Sequence, residues 1–250
     1  MLQPWQTGKV IRIENETSQT RRFWIELPSL SSFDFKPGQF ITLDLPIHEK
    51  PNKRVRSYSI ASWPDGTNVI ELVIVLLEDG AGTHYLFNEV SVGSELTLRG
   101  PQGVFILPEK IEKDLFFVCT GTGIAPFRAM SHHLLNHSVP HQDIYLIFGC
   151  RQFGDALYRS ELDELAERLP GFHYIPTFSR EMPGDPTIRT GYVHAIYEEI
   201  CKGKQEKDAA AALPPASFFL CGWKNMIDEA KRRIQMLGYD RLSIHQELYG

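Results

Sequence analysis

Arg56, Tyr58 and Ser59, within the run Arg-Val-Arg-Ser-Tyr-Ser-Ile-Ala-Ser of residues 54–62, are residue types suited to a flat, phosphorylated ligand. A guanidinium offers two parallel donors to a phosphate, a phenol ring can stack on an aromatic plane, and a serine hydroxyl both donates and accepts. Strand alternation puts Arg54, Arg56, Tyr58 and Ile60 on one face, and Val55, Ser57 and Ser59 on the other. The same residues are also ordinary for an edge strand, so a ligand site needs support from elsewhere in the chain.

Two further stretches supply candidates. The apolar run Leu115-Phe116-Phe117-Val118-Cys119 enters Thr120-Gly121-Thr122-Gly123-Ile124-Ala125-Pro126 and then a helical pattern reaching Leu135. A buried strand that ends in glycines lets the backbone approach a ligand, and the next helix offers its first amides to phosphate. Pro126 stands where the dinucleotide fingerprint has its third glycine, and proline suits a first helical turn. Judged locally, nucleotide binding and a plain strand-to-helix turn remain equally open. The run Gly80-Ala81-Gly82-Thr83-His84-Tyr85-Leu86-Phe87 reads as a short helix capped by Thr83, either an anion site or a glycine turn.

Other chemistry-bearing residues lack the spacing they would need. His132, His133 and His137 have no nearby carboxylate partner and read as surface or partly packed histidines. Asp163, Glu164 and Glu167 read as a solvated helix face. Cys119, Cys150, Cys201 and Cys221 are widely separated, without the clustering that holds zinc or an iron–sulfur group. Redox chemistry would therefore call for an organic cofactor. The formal net charge of −5 speaks against non-specific nucleic-acid or anionic-membrane binding. No apolar run reaches the roughly 20 residues of a membrane span, and no basic, apolar leader is present, so a soluble cytoplasmic protein is expected.

The elements that must position these residues fall into two series. Residues 9–13, 21–27, 39–45, 54–62, 69–77 and 95–99 read as short strands between turns, which predicts a small antiparallel barrel or sandwich. Near Asp114 the rhythm changes to alternating strands and helices. Strands at 115–119, 144–148, 173–178 and 217–221 precede helices towards 135 and at 160–168, 192–200 and 226–237, predicting a parallel sheet with helices on both faces. The boundary is placed at residues 1–108 and 109–250. The Lys- and Ala-rich residues 202–216 read as a solvated loop with a possible helical extension.

Taken together, these motifs resemble the ferredoxin–NADP reductase family of flavoproteins over nearly the whole length. Arg56-Ser57-Tyr58-Ser59 is similar to the flavin motif, Gly82-Thr83 to the flavin pyrophosphate site, and Gly121-Thr122-Gly123-Ile124-Ala125-Pro126 to the nicotinamide-nucleotide loop. Phe148-Gly149-Cys150-Arg151 with Leu157-Tyr158-Arg159, and Cys221-Gly222-Trp223-Lys224-Asn225-Met226, follow in family order. Glu247-Leu248-Tyr249 resembles the ending in which an aromatic ring covers the flavin, with Gly250 as a departure. The resemblance implies an FAD-binding antiparallel β-barrel followed by an NADP(H)-binding α/β domain. Arg56, Ser57, Tyr58, Ser59, Gly82 and Thr83 would then bind flavin. Thr122, Gly123, Ile124, Ala125, Pro126, Cys150, Arg151, Gly222 and Met226 would bind the nicotinamide nucleotide.

By the same resemblance, Ser59, Cys221, Glu247 and Tyr249 would surround the point of hydride transfer, with Tyr249 moving aside for the nicotinamide. Ser179 and Arg180 would contact a 2′-phosphate, Tyr192 would stack nearby, and Arg189 could add a second cation. An acidic residue binding the ribose diol would favour NAD(H) instead; Glu181 is acidic, but a salt bridge with the adjacent Arg180 accounts for it. The expected activity is hydride transfer between NADP(H) and FAD, with single electrons passed to or from ferredoxin, flavodoxin or another redox protein. The alternatives are an NADH-dependent flavin or oxygenase-component reductase of the same fold, and a non-catalytic electron-transfer or nucleotide-sensing module.

Overall fold

The computed structural model describes residues 3–181, 188–207 and 213–249. The chain divides into two compact units, one of Met1–Leu107 with Ala125–His133 and the other of Pro108–Ile124 with Leu134–Gly250.

In the first unit, β1 (Gln6–Asn15), β2 (Thr20–Glu26), β3 (Phe40–Asp44), β4 (Val55–Ser59), β5 (Val69–Val75) and β6 (Glu95–Gln102) form one sheet. Its order is β4-β3-β6-β1-β2-β5, with every pair antiparallel. The sheet curls so that the amide of Ala61, just after β4, donates to the carbonyl of Glu71 on β5 at 2.8 Å. That contact brings the two edges together and leaves a filled interior, lined by Phe23, Ile25, Ile41, Leu43, Ile70, Leu72 and Leu98. One helix, α1 (Ala81–Asn88), joins β5 to β6 and buries Leu86 against this core.

Glu71 is the charge placed deepest in this unit. Its carboxylate receives Arg22 Nε at 2.6 Å and Arg128 Nη1 at 3.0 Å. Arg128, in α2 (Ala125–Asn136), also donates to the Ala61 carbonyl at 2.8 Å, and the Glu71 amide donates to Ser62 Oγ at 3.0 Å. One acidic residue on β5 thus fixes the backbone directly after Ser59.

The second unit is a parallel sheet of order β10-β9-β8-β7-β11-β12, made of β7 (Asp114–Thr120), β8 (Ile144–Cys150), β9 (Phe172–Phe178), β10 (Arg189–Thr190), β11 (Ala216–Trp223) and β12 (Ile244–Tyr249). Its helices are the end of α2, α3 (Arg159–Arg168), α4 (Val193–Lys207) and α5 (Lys224–Met236). The central strands are continuously apolar because both faces are covered, as in Leu115, Phe116, Phe117 and Val118. Two strands were not expected from the sequence. Arg189–Thr190 is too short to show a period, and Ile244–Tyr249, reading Ile-His-Gln-Glu-Leu-Tyr on a half-covered edge, shows no regular alternation. The helix expected at 192–200 runs on to Lys207, and residues 208–212 of the Ala-rich segment lie outside the described residues.

Among the described residues, no helix is long and apolar enough to cross a membrane. At the N-terminal edge of the second sheet, Lys204 Nζ bridges Asp114 at 2.5 Å and Asp143 at 2.8 Å.

Two stability predictions follow from these charges. Glu71→Gln removes the buried carboxylate that Arg22 and Arg128 share, and denaturant unfolding should show a loss of about 3 kcal/mol; a loss below about 1 kcal/mol would remove this charge cluster from the framework. The hydrogen bond from Lys204 holds the Asp143 carboxyl below its ordinary 3.8. This contribution is complete above 3.8 and is lost as pH falls through the lowered folded value. Denaturant midpoints measured at neutral and acidic pH should therefore converge in Lys204→Met relative to the parent.

Candidate functional site

The first unit gathers the Arg56 motif and the α1 start. β3 and β4 pair so that Leu43 faces Arg56, Ile41 faces Tyr58 and Thr42 faces Ser57. Arg56 and Tyr58 therefore lie on the side of the apolar core at the sheet's edge. Burial pushes the Tyr58 hydroxyl up to about 12, partly offset by the Arg56 charge, so the phenol stays protonated and its half-buried ring packs against the core. Ser57 is exposed, 3.3 Å from Thr42 Oγ1, and Ser59 is buried.

Arg56 is anchored through Nη1 to the carbonyls of Val55 at 2.8 Å and Lys53 at 3.0 Å. Its aliphatic stem lies across Gly82, where an added Cβ would sit 3.1 Å from Arg56 Cγ and 3.3 Å from Leu45 Cδ1. The guanidinium is thus held at the N-terminus of α1, whose first amides have no acceptor within the helix. A cation beside open amides is an anion cradle, which fits the pyrophosphate of FAD.

Thr83 does not cap this helix, contrary to expectation. Gly80 occupies the cap position, and Thr83 lies in the first turn, buried. Its hydroxyl donates to the Gly80 carbonyl at 2.9 Å and accepts from the Leu77 amide at 3.1 Å. Thr83 braces the loop that presents the amides.

In the second unit the decisive contact is between backbones. A Cβ on Gly123 would lie 2.4 Å from the Cys221 carbonyl oxygen, closer than any side chain allows. A Cβ on Gly222 would meet Thr120 Oγ1 at 2.6 Å and Met226 Cε at 3.0 Å, and the φ of Gly222 is 148°. These two glycines bring Thr120 to Ile124 against the turn from β11 into α5. Thr122 and Gly123 lie in the single 3-10 turn Gly121–Ile124, and Ala125 and Pro126 open α2. Thr120 Oγ1 is buried beside Gly222 with no hydrogen-bond partner, a polar group left for a ligand. Sequence reasoning did not single out Thr120, although its place at the end of an apolar strand was the available signal.

The edge strand adds the expected C-terminal residues. Register pairs Cys119 with Cys221, Cys221 with Glu247, and Trp223 with Tyr249. Paired residues of parallel strands project from the same face, so Cys221, Trp223, Glu247 and Tyr249 form one patch. Burial pushes the Cys221 thiol well above its ordinary 9.0; Glu247 and Cys119 add to the rise, and a hydrogen bond with the Tyr249 side chain opposes it. Cys221 is therefore a protonated, space-filling group. Gly250 lies outside the described residues.

A third group lies at the ends of β8 and β9. The Ser179 amide donates to the Cys150 carbonyl at 3.0 Å, and the Arg180 amide to the Arg151 carbonyl at 2.9 Å. The side chains of Arg151, Ser179 and Arg180 are exposed, whereas burial pushes the half-buried Cys150 thiol up to about 12. Gly191 is pinned to this end, its amide on the Phe178 carbonyl at 3.0 Å, and Tyr192 follows it with 74% of its surface exposed. Glu181 accepts from the Phe153 amide at 2.9 Å. Arg189 is paired with Glu199 through two bonds of 2.6 and 3.0 Å on an exposed face.

With this geometry established, comparison with known proteins gives a consistent result. Residues 7–106 match the oxidoreductase FAD-binding domain and residues 117–232 the oxidoreductase NAD-binding domain. The chain is 34% identical over 246 residues to ferredoxin–NADP reductase B of Sorangium cellulosum, covering 97% of this chain and 96% of that protein. It is 29% identical to the phenol hydroxylase P5 protein of Acinetobacter pittii, over 86% of this chain but only 58% of that relative's length. Among solved structures, Amycolatopsis cytochrome P450 reductase GcoB superposes with a TM-score of 0.81 at 25% identity, covering 98% of this chain and 70% of the other. A ferredoxin–NADP+ reductase from Neisseria gonorrhoeae with bound FAD and NADP shares the fold, with a TM-score of 0.77 at 24% identity and 98% coverage of both chains.

The close backbone contact generates a direct prediction. Gly123→Ala must push the loop away from Cys221, at a cost of about 1–3 kcal/mol. Titration with NADP+ followed by difference absorbance should show binding at least about tenfold weaker, while the flavin content is unchanged. Parent-like NADP+ affinity would show that the loop does not cradle the nucleotide.

Proposed function

We propose, for a chain that belongs to the ferredoxin–NADP reductase family of FAD-binding oxidoreductases, that it draws electrons from NADPH and delivers them singly to a separate redox protein. Bound FAD supplies what side chains lack, accepting two electrons with a hydride and releasing them one at a time. In this reading residues 1–108 serve the flavin and residues 109–250 the nicotinamide nucleotide.

The side chains have distinct tasks. Arg56 and the first amides of α1 neutralise and hold the flavin pyrophosphate, each charge-assisted bond contributing about 1.5–3 kcal/mol. Tyr58 offers its ring to the isoalloxazine, and Ser57 and Ser59 supply hydroxyls on the same strand. Thr122, Gly123, Ile124, Ala125 and Pro126 let the dinucleotide approach the backbone, aided by Gly222 and Met226 across the contact. Cys221 shapes the nicotinamide pocket without ionising, Glu247 orients the ring, and Tyr249 covers the flavin until the nucleotide arrives.

The observation that carries the coenzyme assignment concerns Glu181. An acidic side chain in this segment would favour a ribose diol, but one carboxylate oxygen of Glu181 is turned to the Phe153 amide at 2.9 Å. Ser179 and Arg180 are exposed beside Arg151, a cationic and hydroxylic surface suited to a 2′-phosphate. Arg189, paired with Glu199, is a weaker contributor.

Two features support a separate carrier. The four cysteines are free thiols on four different segments, so the chain's own residues offer no iron–sulfur ligand set. The relative covered over nearly its full length is itself named a ferredoxin–NADP reductase. Free thiols also suit a reducing, cytoplasmic setting. The carrier is ferredoxin, flavodoxin or a related one-electron protein.

The test begins with colour and coenzyme choice. Purified protein should carry or take up FAD, and NADPH should reduce it anaerobically with kcat/KM at least about tenfold above NADH. Arg180→Ala should erase most of that preference by raising the KM for NADPH alone. A preference for NADH in the parent would assign the chain instead to the oxygenase-component type of reductase. Flavin binding without reduction by either coenzyme would make it a non-catalytic module.

A further inference from the structure

Arg21, on β2, is a half-buried cation that has no carboxylate partner among the described residues. It differs in this from Arg12, Arg22, Arg54 and Arg128, which are paired with Glu14, Glu16, Asp44 and Glu71. Arg21 instead donates from Nε to the Asn15 side-chain oxygen at 3.1 Å and from Nη1 to the Phe87 carbonyl at 2.8 Å. Its guanidinium carbon lies 4.6 Å from the centre of the Phe87 ring. Two neutral acceptors and a ring thus fix the direction of the guanidinium, and among the described residues Nη2 has no hydrogen-bond partner. A fixed, uncompensated guanidinium is preorganised for an anion.

A cavity of about 470 Å³ opens beside it. Sites for small molecules have volumes of this order. Asn88 and the Thr17 and Ser18 hydroxyls share the wall with Arg21, and Phe87 and Leu76 add apolar surface. The acidic residue on the wall, Glu16, is turned to Arg22 at 3.4 Å, so the unmatched charge there is that of Arg21.

The cavity lies at the opposite end of α1 from the cradle formed with Arg56. Gly82 stands at the helix start beside Arg56, whereas Phe87 and Asn88 close the helix, about 10 Å further along its axis. The last turn of a helix presents carbonyls, which disfavour an anion. Arg21 takes the Phe87 carbonyl and reverses that bias locally.

We propose that this cavity binds a small polyhydroxylated anion, a sugar acid or a sugar phosphate, with its carboxylate or phosphate on Arg21. Asn88, Thr17 and Ser18 donate to and accept from the sugar hydroxyls, and Phe87 with Leu76 packs against C–H groups. A neutral sugar lacks the group that Arg21 calls for. No bond is made or broken at the site, and the proposal is independent of the coenzyme assignment.

The test uses the full chain saturated with FAD and NADP+, so that phosphate sites elsewhere are filled. The Arg21 Nε–H and Ser18 amide signals are followed by NMR during titration with gluconate, glucose 6-phosphate and glucose. At least one of the two anions should saturate both signals with a Kd of about 1 mM, and the tighter of them identifies the anionic head. Glucose should leave both signals unmoved. Arg21→Gln, read at Ser18, should weaken binding at least about tenfold, and Asn88→Ala, which leaves the Arg21 bonds in place, about threefold. The absence of a saturable shift with either anion would overturn the proposal, and so would an equal response to glucose. Parent-like affinity in Arg21→Gln would do the same, as would parent-like affinity in Asn88→Ala if Arg21→Gln does not fold.

Discussion

The contact between Gly123 and the Cys221–Gly222 backbone is the constraint on which the nucleotide side of this protein depends. Two main chains meet where a single methyl group would collide at 2.4 Å. Because neither partner has a side chain in the way, the turn after β7 and the turn after β11 become one surface. Thr120, Thr122, Met226 and Trp223 then gather without any of them bonding to another. Parallel strand order does the rest, since β7 and β11 are neighbours and both turns lie at their carboxyl ends.

The flavin side is built on a different economy, in which charge holds geometry. Glu71 is buried and holds Arg22 and Arg128. Burying such a set is not inherently stabilising, because desolvation offsets much of the attraction. Its value lies in specificity of position: Arg128 and the Glu71 backbone both bind Ala61, and the Glu71 amide binds Ser62. The segment leaving Ser59 is fixed by directional bonds that an apolar contact would leave loose. Arg56 is treated likewise, tied to two carbonyls and laid over Gly82.

How much of this was legible in the sequence depends on the range of the interaction. Periodicity is local, so the antiparallel first series and the parallel second series could be read directly, including the change near Asp114. The Gly121-Thr122-Gly123 turn was visible, but its partner was not, because the contact with Cys221 spans about a hundred residues. The roles of Thr83 and Arg189 needed the folded state. A threonine after two glycines reads as a cap until the Leu77 amide is seen to claim its hydroxyl, and the pairing of Arg189 with Glu199, ten residues on, shows only in the folded chain. The partner of Glu181 was hidden in the same way, since the adjacent Arg180 reads as its ion pair until the Phe153 amide is seen to donate to it. The strand ending at Tyr249 escaped the pattern because an edge strand with one half-covered face has no clean alternation.

Burial holds several of the thiols and the phenol near the site in their neutral forms. Burial keeps the Cys119 and Cys221 thiols protonated, and the Tyr58 phenol is pushed up to about 12. Such groups cannot serve as nucleophiles or bases near neutral pH, yet each keeps its shape and polarity unchanged over a wide pH range. A protein that performed acid–base chemistry with its own side chains would tune them towards neutrality. This chain does the reverse with Cys221 and Tyr58, holding both neutral. That pattern is the one expected where the reacting atoms belong to bound cofactors, and where the side chains must hold two rings in place without competing for their protons or electrons.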